Sequence, residues 1–276
     1  MANYKVLPPE GLEERYERYK KKIKHFTIMN DVFMRNVLKE KECTEYILQV
    51  ILQKDLRVVT QILQKDYKNL QGRSAILDCV AKDTEDKQFN IEIQGDREGA
   101  SPKRARYHSG LLDMNTLNSG EAFDLLPETY VIFIAREDIL GDNLPIYHID
   151  RQISETEEIF DDEQHIIYVN SKKQDNTELG RLMHDLHCKE ADTMYSSILS
   201  ARVRELKETE KGVNEMCKEL EEIYNEGHQQ GELFGVLKTK KETALSLFKM
   251  QMPIEQIAQA MNIETSTVQS WIDEKK

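Results

Sequence analysis

The run Thr129-Tyr-Val-Ile-Phe-Ile-Ala135 constrains the fold more than any other stretch. It is apolar, aromatic or β-branched throughout, with no polar alternation. A strand of that kind must be covered on both faces, which is the habit of strands inside an α/β sheet. The neighbouring segments fit. Residues 75–81 and 89–94 read as a hairpin around the polar turn Lys82-Asp-Thr-Glu-Asp-Lys87. Gln71-Gly72-Arg73 punctuates the chain before it, and Pro102 opens a helix expected to reach about Leu117, closed by Asn118-Ser119-Gly120. Residues 146–149 and 165–169 are shorter strands, and 56–63 is an ambiguous one. Val32, Phe33, Val37 and Leu38, then Tyr46, Ile47, Val50 and Ile51, recur at helical spacing, with Asn30 or Asp31 as cap. After Asn176 the strand signal stops and amphipathic helical patterns take over. The expected organisation is a helical lead-in (1–25), an α/β core (26–175), a helical region (176–250) and a helix-turn-helix-like hairpin (251–276).

Composition narrows the function. No apolar run is long enough to span a membrane, and MANYKVLPPE has no signal-peptide core, so a cytoplasmic protein is expected. Cys43, Cys79, Cys188 and Cys217 form no CxxC pair, which suggests neither a disulfide framework nor a zinc ribbon. The net charge of -12 argues at first against a nucleic-acid partner. That charge is unevenly placed. Residues 1–110 carry 21 Lys+Arg against 17 Asp+Glu, and residues 111–276 carry 17 against 33. Two basic clusters lie in the front part: Lys20, Lys21, Lys22 and Lys24, then Arg97, Lys103, Arg104 and Arg106.

The hairpin carries the chemistry. Asp78 interrupts its first apolar strand and Glu92 its second, between Ile91 and Ile93. Side chains alternate along a strand, so Asn90, Glu92 and Gln94 share one face. If the strands pair, Asp78 and Glu92 converge. Two converging carboxylates repel, and Mg²⁺ relieves that repulsion with the oxygen ligands it prefers. The competing reading is a solvated polar face on an edge hairpin.

The string Gly72-Arg-Ser-Ala-Ile-Leu-Asp78-Cys-Val-Ala-Lys-Asp83 with Phe89-Asn-Ile-Glu92-Ile-Gln94 resembles the PD-(D/E)XK nuclease-type transposases, the Rpn-like recombination-promoting nucleases. Met29-Asn-Asp31-Val-Phe33 looks like that family's opening helix. Arg104-x-x-Tyr107-His-Ser109 and Leu126-Pro-Glu-Thr-Tyr130-Val-Ile-Phe-Ile134 are similar to its next helix and strand. The resemblance spans about residues 26–190. It implies a restriction-endonuclease-like mixed sheet flanked by helices, followed by a long α-helical C-terminal region. It also implies a Mg²⁺-dependent (Mn²⁺ also) DNA endonuclease of the mobile-element or recombination type. Carried over residue by residue, Asp78 and Glu92 would hold the metal and Asp31 would complete the site. Gln94 stands where the wider superfamily has lysine, and can orient a water but adds no charge. Arg104 and Tyr107, one turn apart on the following helix, would contact phosphate; the placement of charge assigns DNA contact to the basic clusters at 20–24 and 97–106, with Lys103 and Arg106 among them. The alternative is a catalytically weak or inactive nuclease fold serving as a nucleic-acid- or protein-binding module.

Three features remain beside this reading. Residues 254–272 have helix-turn-helix character, with Ala258 small, Asn262 suited to a left-handed turn, and Val268 and Trp271 facing inward. The expected recognition helix is poor in basic residues, so a purely structural hairpin is the other reading. Gly227, Gly231 and Gly235 line one helix face, which suits either a homodimer contact or a mobile, weakly helical linker, the latter slightly favoured. His184-x-x-His187-Cys188 is the only other metal-like cluster, and it lacks further ligands.

Overall fold

The computed structural model describes residues 11–67, 74–95 and 98–274. Gln71, Gly72, Arg73 and Arg97 lie outside the described residues. The helices are α1 (Leu12–Ile23), α2 (Asp31–Val37), α3 (Lys41–Leu52), α4 (Pro102–Met114), α5 (Glu178–His187), α6 (Ser197–Glu208), α7 (Glu210–Lys249), α8 (Ile254–Met261) and α9 (Thr265–Asp273). The strands are β1 (Val58–Tyr67), β2 (Ala75–Asp83), β3 (Gln88–Gln94), β4 (Thr129–Ala135), β5 (Ile146–Ile149) and β6 (Gln164–Asn170). They form one mixed sheet in the order β1-β2-β3-β4-β6-β5. β1, β2 and β3 run as an antiparallel meander, β3, β4 and β6 are parallel, and β5 returns antiparallel at the edge.

The apolar run at 129–135 takes an inner position because every one of its residues is buried there. β3 is buried along nearly all its length too. The hairpin is therefore not at an edge: β1 covers β2 on one side and β4 covers β3 on the other. Register places Asn90 beside Val131, Glu92 beside Phe133 and Gln94 beside Ala135. That face is covered by α4, whose Ala105, Leu111 and Leu112 join Val131, Phe133 and Tyr168 in one core. Burying Phe133 and Leu112 there contributes roughly 2 kcal/mol each.

Local sequence explains how α4 is framed. Pro102 supplies a helical φ where no amide is needed, and the Ser101 side chain accepts the Arg104 amide. The helix ends at Met114, short of the expected Leu117. Asn115 Nδ2 donates to the Leu111 carbonyl at 2.7 Å and Thr116 Oγ1 to the Leu112 carbonyl at 2.7 Å. Those side chains satisfy the carbonyls that another turn would have used.

The contacts of the chain divide it after Cys217. In the second unit, Lys218–Lys276, α8 and α9 meet across Asn262, whose φ of 51° is left-handed. Ile257, Ala258, Val268, Trp271 and Ile272 pack with Ala244 of α7. Gly227, Gly231 and Gly235 lie inside one continuous helix rather than a weakly helical linker, and an added Cβ at any of them meets open space. Among the described residues, no helix is long and apolar enough to cross a membrane.

Candidate active site

β2 and β3 pair from Cys79↔Ile91 to Lys82↔Gln88. β2 begins earlier, at Ala75, and β3 continues to Gln94. Beyond Cys79 and Ile91 the strands part, and Asp78 and Glu92 stand at the mouth of the fork. The Asp78 amide donates to Glu92 Oε1 at 3.3 Å. The Ile93 amide donates in turn to the Asp78 carboxylate. Each carboxylate thus takes a backbone amide that the ladder leaves free.

Glu92 is fully buried, which removes the solvated-hairpin reading for it. Its oxygens face Asn90 Nδ2 at 3.1 Å, Gln94 Nε2 at 3.4 Å, His108 Nδ1 at 3.4 Å and the Arg104 guanidinium at 4.0 Å. Asp78 is only partly covered and accepts from Gln64 Nε2 at 3.2 Å. Burial, then the negative charges of Glu92 and Asp31, push its carboxyl up to about 7, against the pull of the Ile93 and Gln64 hydrogen bonds. Gln64 itself sits at φ 51°, a left-handed backbone unusual for a non-glycine in a strand. That twist lies opposite Asp78 in the β1–β2 register, where its neighbours pair as Leu63↔Cys79 and Lys65↔Leu77.

Asp78 opens into a cleft of about 450 Å³, lined also by Asp31, Gln64, Gln94 and Arg136. α2 delivers Asp31 because Asn30 caps the turn before it: Asn30 Oδ1 accepts the Thr27 amide at 2.8 Å, leaving Asp31 as the first helical residue. Asp31 is exposed, and its Oδ2 pairs with the Arg35 guanidinium at 3.2 Å. Arg136 donates to the Met29 carbonyl at 3.3 Å, while its Nε is buried without a partner.

Beside the cleft lies a groove of about 710 Å³ lined by Ser74, Ile76, Lys103, Arg104, Arg106 and Tyr107. Ile76 lines both cavities, so the two adjoin at that side chain. The structure brings Asp31, Asp78 and Gln94 to the cleft and the four predicted DNA-contacting residues to the groove, with Glu92 buried beneath. Lys20, Lys21 and Lys22 sit in the last turn of α1, where Lys20 pairs with Glu17 at 2.8 Å, and they line neither cavity. Sequence reasoning missed Gln64, Asn90, His108 and Arg136. The spacing of Arg104 and His108, four apart on one helix face, was the available signal for one of them.

The one tight trio of candidate ligands among the described residues is His184, Asp185 and Cys188, with donor atoms within 4.8 Å of one another. His187 turns away to Ser171 Oγ at 2.9 Å. Asp185 is buried and accepts the Tyr195 and Ser196 amides at 2.8 and 2.7 Å. Cys188 Sγ lies 3.4 Å and 3.7 Å from the two ring nitrogens of His184, so it faces the ring between them rather than one lone pair. Burial raises the thiol pKa, away from the thiolate a metal needs. This cluster clamps the segment after α5.

A mixed sheet flanked by helices, with an acidic fork between two antiparallel strands, is the core of a PD-(D/E)XK-type nuclease fold. The chain belongs to the PD-(D/E)XK nuclease family transposases, whose family model matches residues 39–232. Asp78, Glu92, Gln94 and the groove residues fall inside the match and Asp31 outside it. The matched region runs well past residue 190, into α7. Searches of curated proteins and of solved structures found no match.

Proposed function

We propose that the protein is a Mg²⁺-dependent DNA endonuclease, with Mn²⁺ able to substitute, working in the recombination or mobile-element setting of its family. The observation that carries this reading is the fork. The Asp78 amide donates to Glu92 Oε1 and the Ile93 amide to the Asp78 carboxylate, and burial, then the charges of Glu92 and Asp31, push Asp78 up to about 7. Crowded carboxylates at a cleft fit a hard divalent cation. Asp78 and Glu92 would hold it, with Asp31 assisting from α2. Bound there, the ion would polarise a phosphoryl oxygen and lower the pKa of a water. Gln94 orients the attacking water through its amide. Arg104, Lys103 and Arg106 bind the phosphates of the strand in the groove, and Tyr107 gives its ring a surface to lie on. Hydrolysis breaks one P–O bond of the backbone and leaves a nick.

A reduced cytoplasmic setting fits the four free thiols. A homodimer through the C-terminal helices would cover Leu233, Phe234, Val236 and Leu237, which are exposed on α7.

A second reading has one observation in its favour. Gln94 Nε2 turns toward Glu92 Oε2, so no cation from this position faces the cleft. A protein that binds DNA through the groove without cutting it would look the same there. Supercoiled plasmid incubated with the full chain and Mg²⁺ or Mn²⁺ separates the two. Nicking by the native protein, lost in Asp78→Ala, supports the nuclease. No nicking, or equal nicking by the variant, refutes it.

A further inference from the structure

His108 is two per cent exposed beneath the groove, next to the most buried carboxylate of the fork. Its Nε2 accepts from Arg104 Nε at 3.3 Å. A neutral imidazole that accepts at Nε2 carries its proton at Nδ1. Nδ1 is buried without a hydrogen-bond partner and lies 3.4 Å from Glu92 Oε1, the carboxylate oxygen it faces. The ring is braced on Phe133, 5.7 Å between centroids, and Phe133 stacks on Tyr168 at 5.5 Å. The line Arg104–His108–Glu92 therefore joins a side chain of the basic groove to a carboxylate of the fork through one buried ring. Arg104 is forty per cent exposed, so it meets solvent or a phosphate while its Nε holds the ring.

We propose that His108 is a positioning residue. It fixes the Glu92 carboxylate in the orientation that binds the divalent cation, and it is itself fixed by Arg104. Groups that hold a metal ligand in place change metal affinity by about 10- to 100-fold when removed. The idea rests on the reading of Asp78 and Glu92 as the cation site. It goes beyond it by making the groove and the fork one unit: a phosphate drawn to Arg104 acts on the same ring that orients Glu92.

Amide isosteres test it. In His108→Asn the amide nitrogen takes the place of Nδ1 and keeps a donor against Glu92 Oε1. In His108→Gln the amide oxygen takes the place of Nε2 and accepts from Arg104, and no donor is placed against Glu92 Oε1. Mn²⁺ affinity is measured by isothermal titration on the full chain, with Asp78→Ala identifying the heat that belongs to the fork. The expected result is Mn²⁺ affinity within about threefold of native for His108→Asn and at least tenfold weaker for His108→Gln. Arg104→Met, a change at a partly exposed side chain, should weaken Mn²⁺ binding several-fold, whereas loss of a guanidinium charge 4.0 Å from Glu92 would by itself strengthen it. It keeps the test open if a His108 variant fails to fold.

Unchanged affinity in His108→Gln, equal loss in both isosteres, or no effect of Arg104→Met overturns the positioning role. Those results leave the nuclease reading standing wherever the native protein binds Mn²⁺ at the fork and nicks DNA. Mn²⁺ binding that shows the isostere pattern without any nicking supports His108 and refutes the nuclease. No Mn²⁺ heat sensitive to Asp78→Ala overturns both.

Discussion

The raised carboxyl of Asp78 makes stability fall with pH in the absence of metal. Its folded value of about 7 stands above the 3.8 of an unfolded aspartate. The folded state therefore binds the proton more tightly than the unfolded state does. The stabilisation is fully present below pH 3.8 and is lost as pH rises through 7, opposite to the usual salt-bridged aspartate. At about 1.4 kcal/mol per pH unit the span has a ceiling near 4 kcal/mol. Asp78 is partly open to the cleft, so water and counter-ions reduce this to about 1–2 kcal/mol. For a unit of this size that is roughly 2–8 °C in melting temperature. Asp78→Asn keeps an acceptor for the Ile93 and Gln64 donors and never ionises. In EDTA, the native melting temperature should fall relative to Asp78→Asn between pH 5 and pH 8.5. Taking the difference between the two proteins cancels other groups that titrate over that range. Mn²⁺ should restore the native protein at high pH and leave Asp78→Asn unmoved. Below pH 7 each unit should weaken Mn²⁺ binding by up to about tenfold, because the ion must displace the Asp78 proton. A native protein whose stability relative to Asp78→Asn is flat or rises with pH refutes the crowded-carboxylate argument.

Gln94→Lys should raise the nicking rate by about tenfold, since it puts a positive charge beside the fork where the glutamine offers only a dipole; plasmid nicking time courses measure it, and an unchanged rate contradicts the assigned position. Lys103→Ala and Arg106→Ala should each weaken duplex binding and lower the slope of log affinity against log salt by about one, read by fluorescence anisotropy in Ca²⁺. Trp271→Ala should cost the C-terminal unit about 3 kcal/mol through the cavity left against Ala258 and Ile272 while Mn²⁺ affinity at the fork stays native. Asn262→Gly, at φ 51°, should be neutral or stabilising by up to about 1 kcal/mol, and Asn262→Val destabilising, both by thermal melting.

The parts of the molecule that could be read from its residues are those set by a short period or a single special conformation. The β2–β3 hairpin and the convergence of Asp78 with Glu92 follow from a period of two. Asn262 follows from the scarcity of residues that tolerate a left-handed turn. What stayed hidden depends on which elements lie side by side. A period-two pattern with Glu92 on one face is equally that of an edge hairpin in water. Only β1 and β4 closing over both sides, with α4 above, make Glu92 a buried charge. Helical spacing offers Arg104 two neighbours one turn on, Tyr107 and His108. The docking of α4 on Phe133 decides that His108 meets the fork and Tyr107 the groove. The long helix α7 misleads in the other direction. Three glycines cost it about 3 kcal/mol, yet the Glu-, Lys- and Leu-rich turns around them carry it through as one element.

The same logic explains why Gln64 could not be seen. Its importance lies in a φ that no propensity reports. A left-handed glutamine in mid-strand costs on the order of 1 kcal/mol and persists only where surrounding structure enforces it. Here the enforcement is the pairing of Leu63 and Lys65 on either side. The return is an amide aimed at the one carboxyl of the fork that opens to the cleft. Glu92 is held from the interior by Asn90, with His108 Nδ1 3.4 Å away, whereas Asp78 is held from the sheet by Gln64 and Ile93. The two carboxylates are thus fixed by separate side-chain donors, Asn90 of β3 for Glu92 and Gln64 of β1 for Asp78. On the proposed reading, a cation or a proton entering the fork relieves the crowding that burial, Glu92 and Asp31 impose on Asp78.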